Sequence, residues 1–186
     1  MTTALDRDGV RVRRVVSGEL TAAELGQLMD LFAACWPAEG FSADDVDHAV
    51  GGVHWVAEVD GRIVAHASVV ERLVEADGRP MPTGYLEAVA TLPAWRGRGI
   101  ATRLLGAADE HIRTTFDLGA LSTGAHGLYE RLGWERWRGP TFVRTADGPV
   151  RTGEEDGGIM ILRTPRTPRL TLTEALSCEW RAGDVW

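Results

Sequence analysis

The chain has 186 residues, of which 44% are hydrophobic, and its formal net charge is −7. This length suits one domain, and the hydrophobic content is sufficient for a core. The acidic balance argues against nucleic acid as a partner and favours cationic partners, although mild acidity also serves solubility alone. We therefore expect a single domain over residues 1–186 with no nucleic-acid partner.

Cysteine usage and hydropathy favour a cytoplasmic location. Cys35 and Cys178 belong to no CxxC pair, and no secretory segment follows Met1. No apolar run reaches the length of a membrane span, so we expect no membrane contact. Metal-ligand spacing such as HExxH is absent, which predicts no metal and structural or surface positions for the histidines. These are His48, His54, His66, His111 and His126.

In the first quarter of the chain, the sequence pattern predicts one strand and two helices. Alternating hydrophobicity predicts the strand, and Thr21 followed by Glu24 is a capping box at the start of a helix. Ser42, followed by acidic residues, is the N-cap candidate of a second helix. The predicted bounds are 10–16 for the strand, 21–36 for the first helix and 42–52 for the second.

The hydrophobic period then changes to two and predicts a meander of strands. Val53 to Val59 and Ile63 to Val74 alternate on either side of an Asp-Gly turn, which predicts an antiparallel hairpin. A further strand is predicted from Tyr85 to Leu92, after the two prolines Pro80 and Pro82.

The second half of the chain contains the clearest helical pattern, from Arg98 to Phe116, with apolar residues on one face. Residues 138–158 are rich in glycine, proline and acid and predict either a long hairpin or a mobile loop. The remaining predicted elements are strands at 120–122, 159–162 and 170–172 and a helix at 125–132.

The stretch from Glu87 to Ala101 leads from a predicted strand through a glycine-containing turn into the long helix. The start of a helix presents free backbone N–H groups and partial positive charge, which together suit a pyrophosphate. The pattern is neither a P-loop nor GxGxxG, because its only glycines are Gly97 and Gly99. On spacing alone, an ordinary turn between strand and helix remains the alternative.

Two motifs resemble the GNAT acetyltransferases. Arg96-x-x-Gly99-x-Ala101 is similar to their Q/R-x-x-G-x-G/A signature, and Tyr129-x-x-x-Gly133-Trp134 is similar to their last helix. The resemblance implies an α+β fold, with a mixed and mostly antiparallel central sheet flanked by helices on both faces, and acetyl-CoA as cosubstrate. The residues that it assigns to the coenzyme are Val89, Ala90, Thr91, Arg96, Gly97, Arg98, Gly99, Ile100 and Ala101.

Within that superfamily, five stretches resemble the aminoglycoside 2'-N-acetyltransferases: residues 51–54, 65–67, 84–87, 118–122 and 178–186. This resemblance implies acetylation of the 2'-amino group of aminoglycoside antibiotics, resistance to them, and a homodimer. Glu87 would act through water as general base and Tyr129 as general acid. The residues implied for substrate binding are Glu39, Gly40, Glu87, Ser122, Glu155 and, in a tail of about residues 173–186, Asp184 and the carboxylate of Trp186.

Two positions depart from that family's pattern and leave alternatives open. Gly40 stands where an aspartate is expected, and the adjacent Glu39 could replace it. Glu155 aligns with an aspartate, and Glu154 or Asp156 could take its role. Two other functions also remain open: a GNAT enzyme for another cationic amine, such as a polyamine or a protein N-terminus, and a noncatalytic sensor of coenzyme A.

Overall fold

A computed structural model describes residues 9–37 and 41–186 and divides into two compact units. Within the described residues, the first unit contains those up to Val70 together with Leu86–Ala108, and the second contains Glu71–Tyr85 and Asp109–Trp186. Strands β3 (Arg62–Ala76) and β4 (Arg79–Thr91) and helix α3 (Ile100–Thr115) contribute residues to both units.

The first unit contains three antiparallel strands and two helices. Strand β1 (Arg11–Val16) pairs with β2 (Val53–Val59), which pairs with the first part of β3. Helices α1 (Ala22–Cys35) and α2 (Ala43–Ala49) lie between β1 and β2 in the chain. Each core side chain of leucine size contributes about 1.5–3 kcal/mol through burial. This core contains Val15, Leu28, Leu31, Phe32, Ala49, Val56, Ile63 and Ala90.

Both predicted helix starts are confirmed. The Thr21 hydroxyl accepts a hydrogen bond from the backbone N–H of Glu24 at 3.2 Å, and the Glu24 carboxylate accepts one from the backbone N–H of Thr21 at 2.8 Å. Ser42 and Asp45 form the same reciprocal pair at α2. Each cap satisfies backbone donors that a helix leaves free at its start, so these short-range signals placed the helices correctly.

Strand β4 is longer than predicted, because it begins at Arg79 and includes Pro80 and Pro82. Proline lacks a backbone donor and is therefore uncommon inside a paired strand. The pairing of β4 with β5 (Leu118–Ser122) runs from Thr83 to Tyr85, after both prolines, so neither interrupts that ladder.

The second unit contains two groups of strands. In one, β5 pairs in parallel with β4 and antiparallel with β9 (Ile159–Arg163), which also pairs with β6 (Glu135–Arg136). In the other, β10 (Leu176–Glu179) is antiparallel to the end of β3 and parallel to β7 (Thr141–Thr145), which forms a hairpin with β8 (Gly148–Arg151). Helix α4 (His126–Glu130) follows β5.

The later part of α3 packs closely over two glycines of this unit. Gly84 and Gly119 are direct partners across the β4–β5 ladder. A Cβ atom on Gly84 would lie 2.7 Å from a ring carbon of Phe116, and one on Gly119 would lie 3.0 Å from a methyl of Ile112. A Cβ atom at either position would approach these carbons more closely than Cβ atoms usually do, so a larger residue would force the side chains of Ile112 and Phe116 to shift.

Two predictions for the second half of the chain could be decided only with the structure. Of the two alternatives for residues 138–158, the hairpin is correct. The strand predicted at 170–172 is wrong, and the last strand is 176–179 instead. Leu176 and Cys178 are fully buried, whereas Leu172 is half-buried and its carbonyl accepts hydrogen bonds from the irregular segment Arg138–Gly139. Alternation alone does not distinguish these two short apolar stretches.

In the part of the chain that the structure describes, no helix has both the length and the apolar character needed to cross a membrane.

Candidate active site

The turn before α3 has the conformation that its glycines imply. Gly97 and Gly99 adopt φ angles of +76° and +74°, which are strained for other residues. The Arg96 Nε donates to the Thr91 carbonyl at 3.1 Å, and the Arg98 guanidinium lies 4.5 Å from the centre of the Trp95 ring. Both arginine side chains therefore hold the turn against the residues that precede it.

This turn fits a diphosphate. Residues 96–99 are exposed, whereas Ile100, the first residue of α3, is buried at 2% exposure. A Cβ atom added to Gly97 or Gly99 would meet nothing within 4 Å, so the surface over the turn is open. Free backbone N–H groups at the start of a 16-residue helix, with two arginines beside them, suit an anion.

Strand β4 contains an irregularity at Ala88, whose φ is +47°. The three residues Glu87, Ala88 and Val89 are half-exposed, while Leu86 and Ala90 on either side are buried. A left-handed residue inside a strand is typical of a β-bulge, which interrupts alternation and redirects the neighbouring groups. The proposed base Glu87 and the first proposed thioester contact, Val89, therefore lie on either side of a bulge.

Tyr129 of α4 is a buried phenol. Burial, with a smaller contribution from the charge of Asp109, raises the pKa of Tyr129 to about 12. Its ring meets the edge of Trp134 with centroids 6.0 Å apart. Tyr129 therefore stays protonated at neutral pH and is a hydrogen donor there.

Asp109 was missed by the sequence reasoning. Its side chain is buried at 2% exposure, burial raises its pKa to about 6, and its Oδ1 accepts a hydrogen bond from the Trp134 indole at 3.1 Å. The available signal was its position in α3, four residues after the core residue Leu105 and three before Ile112, on the apolar face.

Three of the residues predicted to bind substrate come together in the second unit. The Ser122 hydroxyl donates to Glu155 Oε2 at 3.1 Å. Burial raises the pKa of Glu155, and the negative charges of Asp184 and Glu154 raise it further. Residues from three distant stretches of chain therefore form one acidic group, which we call the acidic cluster: Ser122, Glu155 and Asp184.

Glu155 and its neighbour Asp156 have different hydrogen-bond partners, and it is Glu155 that contacts Ser122. Asp156 forms an ion pair with Arg151 and accepts hydrogen bonds from the backbone and hydroxyl of Thr141. Both oxygens of its carboxylate therefore have partners of their own. Glu155 is thus the acid of this loop that meets Ser122.

The end of the chain is held by a buried arginine that the sequence reasoning also missed. Arg72 of β3 is 4% exposed and donates to the Glu179 carboxylate at 2.9 Å, the Glu179 carbonyl at 3.0 Å and the Val185 carbonyl at 2.8 Å. Trp186 is also buried, and its indole donates to the Thr152 hydroxyl at 3.0 Å. The signal for Arg72 was its position in the strand, since residues two apart share a face and Arg72 lies between the buried Val70 and Val74.

Two predicted substrate contacts, Glu39 and Gly40, lie outside the described residues. Within residues 9–37 and 41–186, no group of three or more His, Cys, Asp or Glu side chains has a metal-binding arrangement.

Known proteins define the class of this chain. A model of the acetyltransferase (GNAT) family matches residues 25–134, which is more than half of the chain. The chain therefore belongs to the GNAT acetyltransferase family, and the α+β fold class and the enzyme class predicted from the sequence are confirmed.

Particular relatives refine this class. The aminoglycoside 2'-N-acetyltransferase of Mycolicibacterium fortuitum is 41% identical over 150 residues, covering 78% of this chain and 77% of that protein. A GNAT family acetyltransferase from Brucella melitensis, solved in complex with acetyl-CoA, is similar in fold, with a TM-score of 0.62, 18% identity, and coverage of 93% of this chain and 96% of that one.

A GCN5-related N-acetyltransferase from Kribbella flavida matches with a TM-score of 0.56 and 22% identity over 73% of this chain. This chain spans only 35% of that protein.

Proposed function

We propose that this enzyme transfers the acetyl group of acetyl-CoA to the 2'-amino group of aminoglycosides, directly and in a ternary complex. The acidic cluster is the observation that supports this substrate, because a polycationic sugar requires several anions around its ammonium groups. The relative from Mycolicibacterium fortuitum, 41% identical, bears the name of this activity.

Binding of acetyl-CoA is assigned to the first unit. The exposed turn from Arg96 to Gly99 and the first amides of α3, at Ile100 and Ala101, would hold the pyrophosphate. Backbone groups of Val89, Ala90 and Thr91 would hold the thioester arm and polarise its carbonyl. The bound coenzyme supplies the activated acetyl group.

Two side chains are assigned to proton transfer. Glu87, half-exposed beside the bulge, would take a proton from the substrate amine through water, because an amine attacks only in its neutral form. Tyr129, with its pKa raised to about 12, holds its proton throughout the neutral range and would donate it to the departing thiolate.

The acidic cluster would bind ammonium groups of the substrate, together with the carboxylate of Trp186 and the Glu39–Gly40 region. Arg72 supports this role because it holds the backbone at Glu179 and Val185, on both sides of Asp184. The side chain of Trp186 is itself buried and serves to anchor the tail. A homodimer, a cytoplasmic location, drug resistance in the cell and a single domain over residues 1–186 remain predictions.

The function is tested by measuring thiol release from acetyl-CoA with gentamicin, with an aminoglycoside that has a hydroxyl at the 2' carbon, and with spermidine. We expect turnover with gentamicin alone and a product acetylated at the 2' nitrogen by NMR. Faster turnover with spermidine would replace the substrate assignment by that of a polyamine.

The catalytic roles are tested with Glu87→Ala and Tyr129→Phe. We expect each to lower kcat by about 100-fold while the affinity for coenzyme A, measured by calorimetry, is nearly unchanged. The second substitution removes only the hydroxyl and keeps the ring that packs against Trp134, so stability should change little. Near-normal turnover in both variants would contradict the assigned roles, and binding of coenzyme A without turnover in the parent enzyme would indicate a sensor.

A further inference from the structure

A chain of hydrogen bonds through two buried histidines ends at the β4 bulge. His66 Nδ1 lies 2.8 Å from the Ala88 carbonyl oxygen, and His66 Nε2 lies 2.9 Å from His54 Nδ1. The other nitrogen of His54 lies 2.9 Å from the Ser17 hydroxyl. Both imidazoles are completely buried, with 0% exposure.

The direction of these hydrogen bonds follows from chemistry. A carbonyl oxygen only accepts, so His66 Nδ1 carries a hydrogen. Burial lowers the pKa of His66 to about 3 and that of His54 to about 4, so both rings are neutral and carry one hydrogen each. His66 Nε2 then accepts from His54 Nδ1, and both rings have the Nδ1–H tautomer.

Ser17 completes the chain at its other end. Its hydroxyl lies 2.7 Å from the Gly52 carbonyl oxygen as well as 2.9 Å from His54 Nε2, and its single hydrogen serves these two acceptors. The edge of Phe32 meets the His66 ring with centroids 5.2 Å apart. The ring that contacts Ala88 is therefore held from two sides, by His54 and by Phe32.

Two side chains of β3 donate hydrogen bonds to the backbone of the bulge. His66 and Ser68, two residues apart and both fully buried, donate to the consecutive carbonyls of Ala88 and Glu87, at 2.8 and 3.3 Å. An alanine at a φ of +47° is strained and persists only where its surroundings require it. The hydrogen bond from His66 supplies such a requirement at the strained residue itself.

We propose that His66 is a positioning residue for acetyl transfer: by donating to the Ala88 carbonyl, it holds the bulge that directs Glu87 on one side and the Val89 backbone on the other. His54 acts through His66 by fixing its tautomer and ring orientation, as outer hydrogen bonds orient histidine ligands at metal sites. This inference rests on the function proposed above, because it assigns a cause to the geometry of the same residues.

The first test needs neither a variant nor a substrate. In 15N NMR spectra of the intact protein, the nitrogens of His66 should show the neutral Nδ1–H tautomer. An Nε2–H tautomer would overturn the proposal, because Nδ1 could not then donate to the Ala88 carbonyl. A doubly protonated ring at neutral pH would also overturn it, because His66 would then be a cation and not the neutral donor proposed.

The second test compares variants that separate this hydrogen bond from packing. His66→Leu removes the donor, and His66→Asn keeps a donor near the position of Nδ1. We expect the leucine variant to lower kcat about tenfold and to raise the KM for acetyl-CoA, and the asparagine variant to recover part of both. His111→Leu, in α3 outside the bulge, is the matched control and should leave both constants unchanged.

A rescue experiment distinguishes positioning from simple stabilisation. Glycine adopts a positive φ without strain, so the double variant His66→Leu with Ala88→Gly should have a kcat several-fold higher than that of His66→Leu alone. A purely structural His66 would give lower stability with normal kcat per folded enzyme and no rescue, and that result would overturn the proposal. If the leucine variant does not fold, His66→Asn with and without Ala88→Gly provides the same comparison.

The outcomes for the inference and for the proposed function are separable. Calorimetric titration with coenzyme A reports the first unit in the absence of any aminoglycoside, and His66→Leu should weaken that binding several-fold relative to His111→Leu. If gentamicin is not acetylated but this weakening and the tautomer are observed, the substrate assignment fails and the role of His66 stands.

Discussion

The two regions assigned to ligands consist of different chemical groups. Between Glu87 and Ala101, the groups assigned to the coenzyme are mainly backbone amides and carbonyls, held by a bulge, by left-handed glycines and by neutral histidines. The acidic cluster consists of side-chain groups: a hydroxyl from β5, a carboxylate from the segment after β8 and a carboxylate from the tail. The first region therefore depends on conformation and the second on charge.

The two regions are therefore sensitive to different kinds of substitution. Backbone groups keep their chemistry under most substitutions and fail when φ angles change. Charges fail when a carboxylate is neutralised or when the segment that bears it is released.

Release of the tail should have the largest effect. Arg72→Met removes the donors to Glu179 and Val185 and leaves a partly buried carboxylate without its main cation. We expect the free energy of unfolding to fall by about 3 kcal/mol and the KM for gentamicin to rise more than tenfold.

Urea unfolding and steady-state kinetics measure these two effects. Arg136→Met removes an exposed ion pair with Glu130, where the side chains are 47% and 46% exposed, and should cost less than about 0.5 kcal/mol. Equal losses in the two variants would show that burial of Arg72 is unimportant.

Neutralising the buried carboxylate beside Tyr129 should stabilise the protein at neutral pH. Burial raises the pKa of Asp109 from 3.8 to about 6, so its contribution to stability is complete below pH 3.8 and is lost as the pH rises through 6. Asp109→Asn keeps an acceptor for the Trp134 indole and removes the charge.

We expect the asparagine variant to be about 2 kcal/mol more stable than the parent at pH 8, with a much smaller difference at pH 4. Unfolding curves in urea at the two pH values test this expectation. A constant difference would mean that Asp109 does not titrate in this range.

Gly99→Ala tests the dependence of the coenzyme region on conformation. At a φ of +74°, alanine is strained by about 1–2 kcal/mol, and relief of that strain would displace the amides at the start of α3. We expect the Kd for coenzyme A to rise about tenfold.

Gly106→Ala, in the interior of α3 with open space at its Cβ, is the control and should stabilise the helix without affecting the coenzyme. Unchanged affinity in Gly99→Ala would show that the turn does not hold the diphosphate.

The smallest effect is expected for Glu155→Gln, which keeps an acceptor for Ser122 and removes one charge from the acidic cluster. The KM for gentamicin should rise about three- to fivefold at low salt, with kcat unchanged, and the difference should shrink as salt screens the cluster. Asp147→Asn, in the exposed turn after β7, should change neither constant. A similar response in both variants would indicate general electrostatic attraction to an acidic protein.

Much of the first unit follows from short-range signals. The capping pairs at Thr21 and Ser42 and the Asp-Gly turn after Val59 predicted α1, α2 and the β2–β3 hairpin, because each pattern satisfies hydrogen bonds within a few residues. A glycine-containing turn before α3 was predicted as well, but the left-handed φ angles of Gly97 and Gly99 are known only from the structure.

The tertiary structure decided what depends on contacts between distant residues. Whether the last strand is at 170–172 or 176–179 depends on which stretch finds a partner in β7, and a period of two fits both. Ser122 and Arg72 contact Glu155 and Glu179, which are 33 and 107 residues away in the chain, and no local sequence pattern predicts these pairs. The left-handed Ala88 belongs to the same class, because a buried histidine from the neighbouring strand, 22 residues earlier, holds its carbonyl.

The sequence alone thus determined the acetyltransferase family and predicted the turn and the residue types that we assign to the coenzyme and the substrate, since these are properties of contiguous motifs. Tertiary structure decided which carboxylates meet, which cation holds the tail and which side chain supports the bulge. These depend on burial and on pairing across strands, where the free energy comes from groups that approach one another only when the chain is folded.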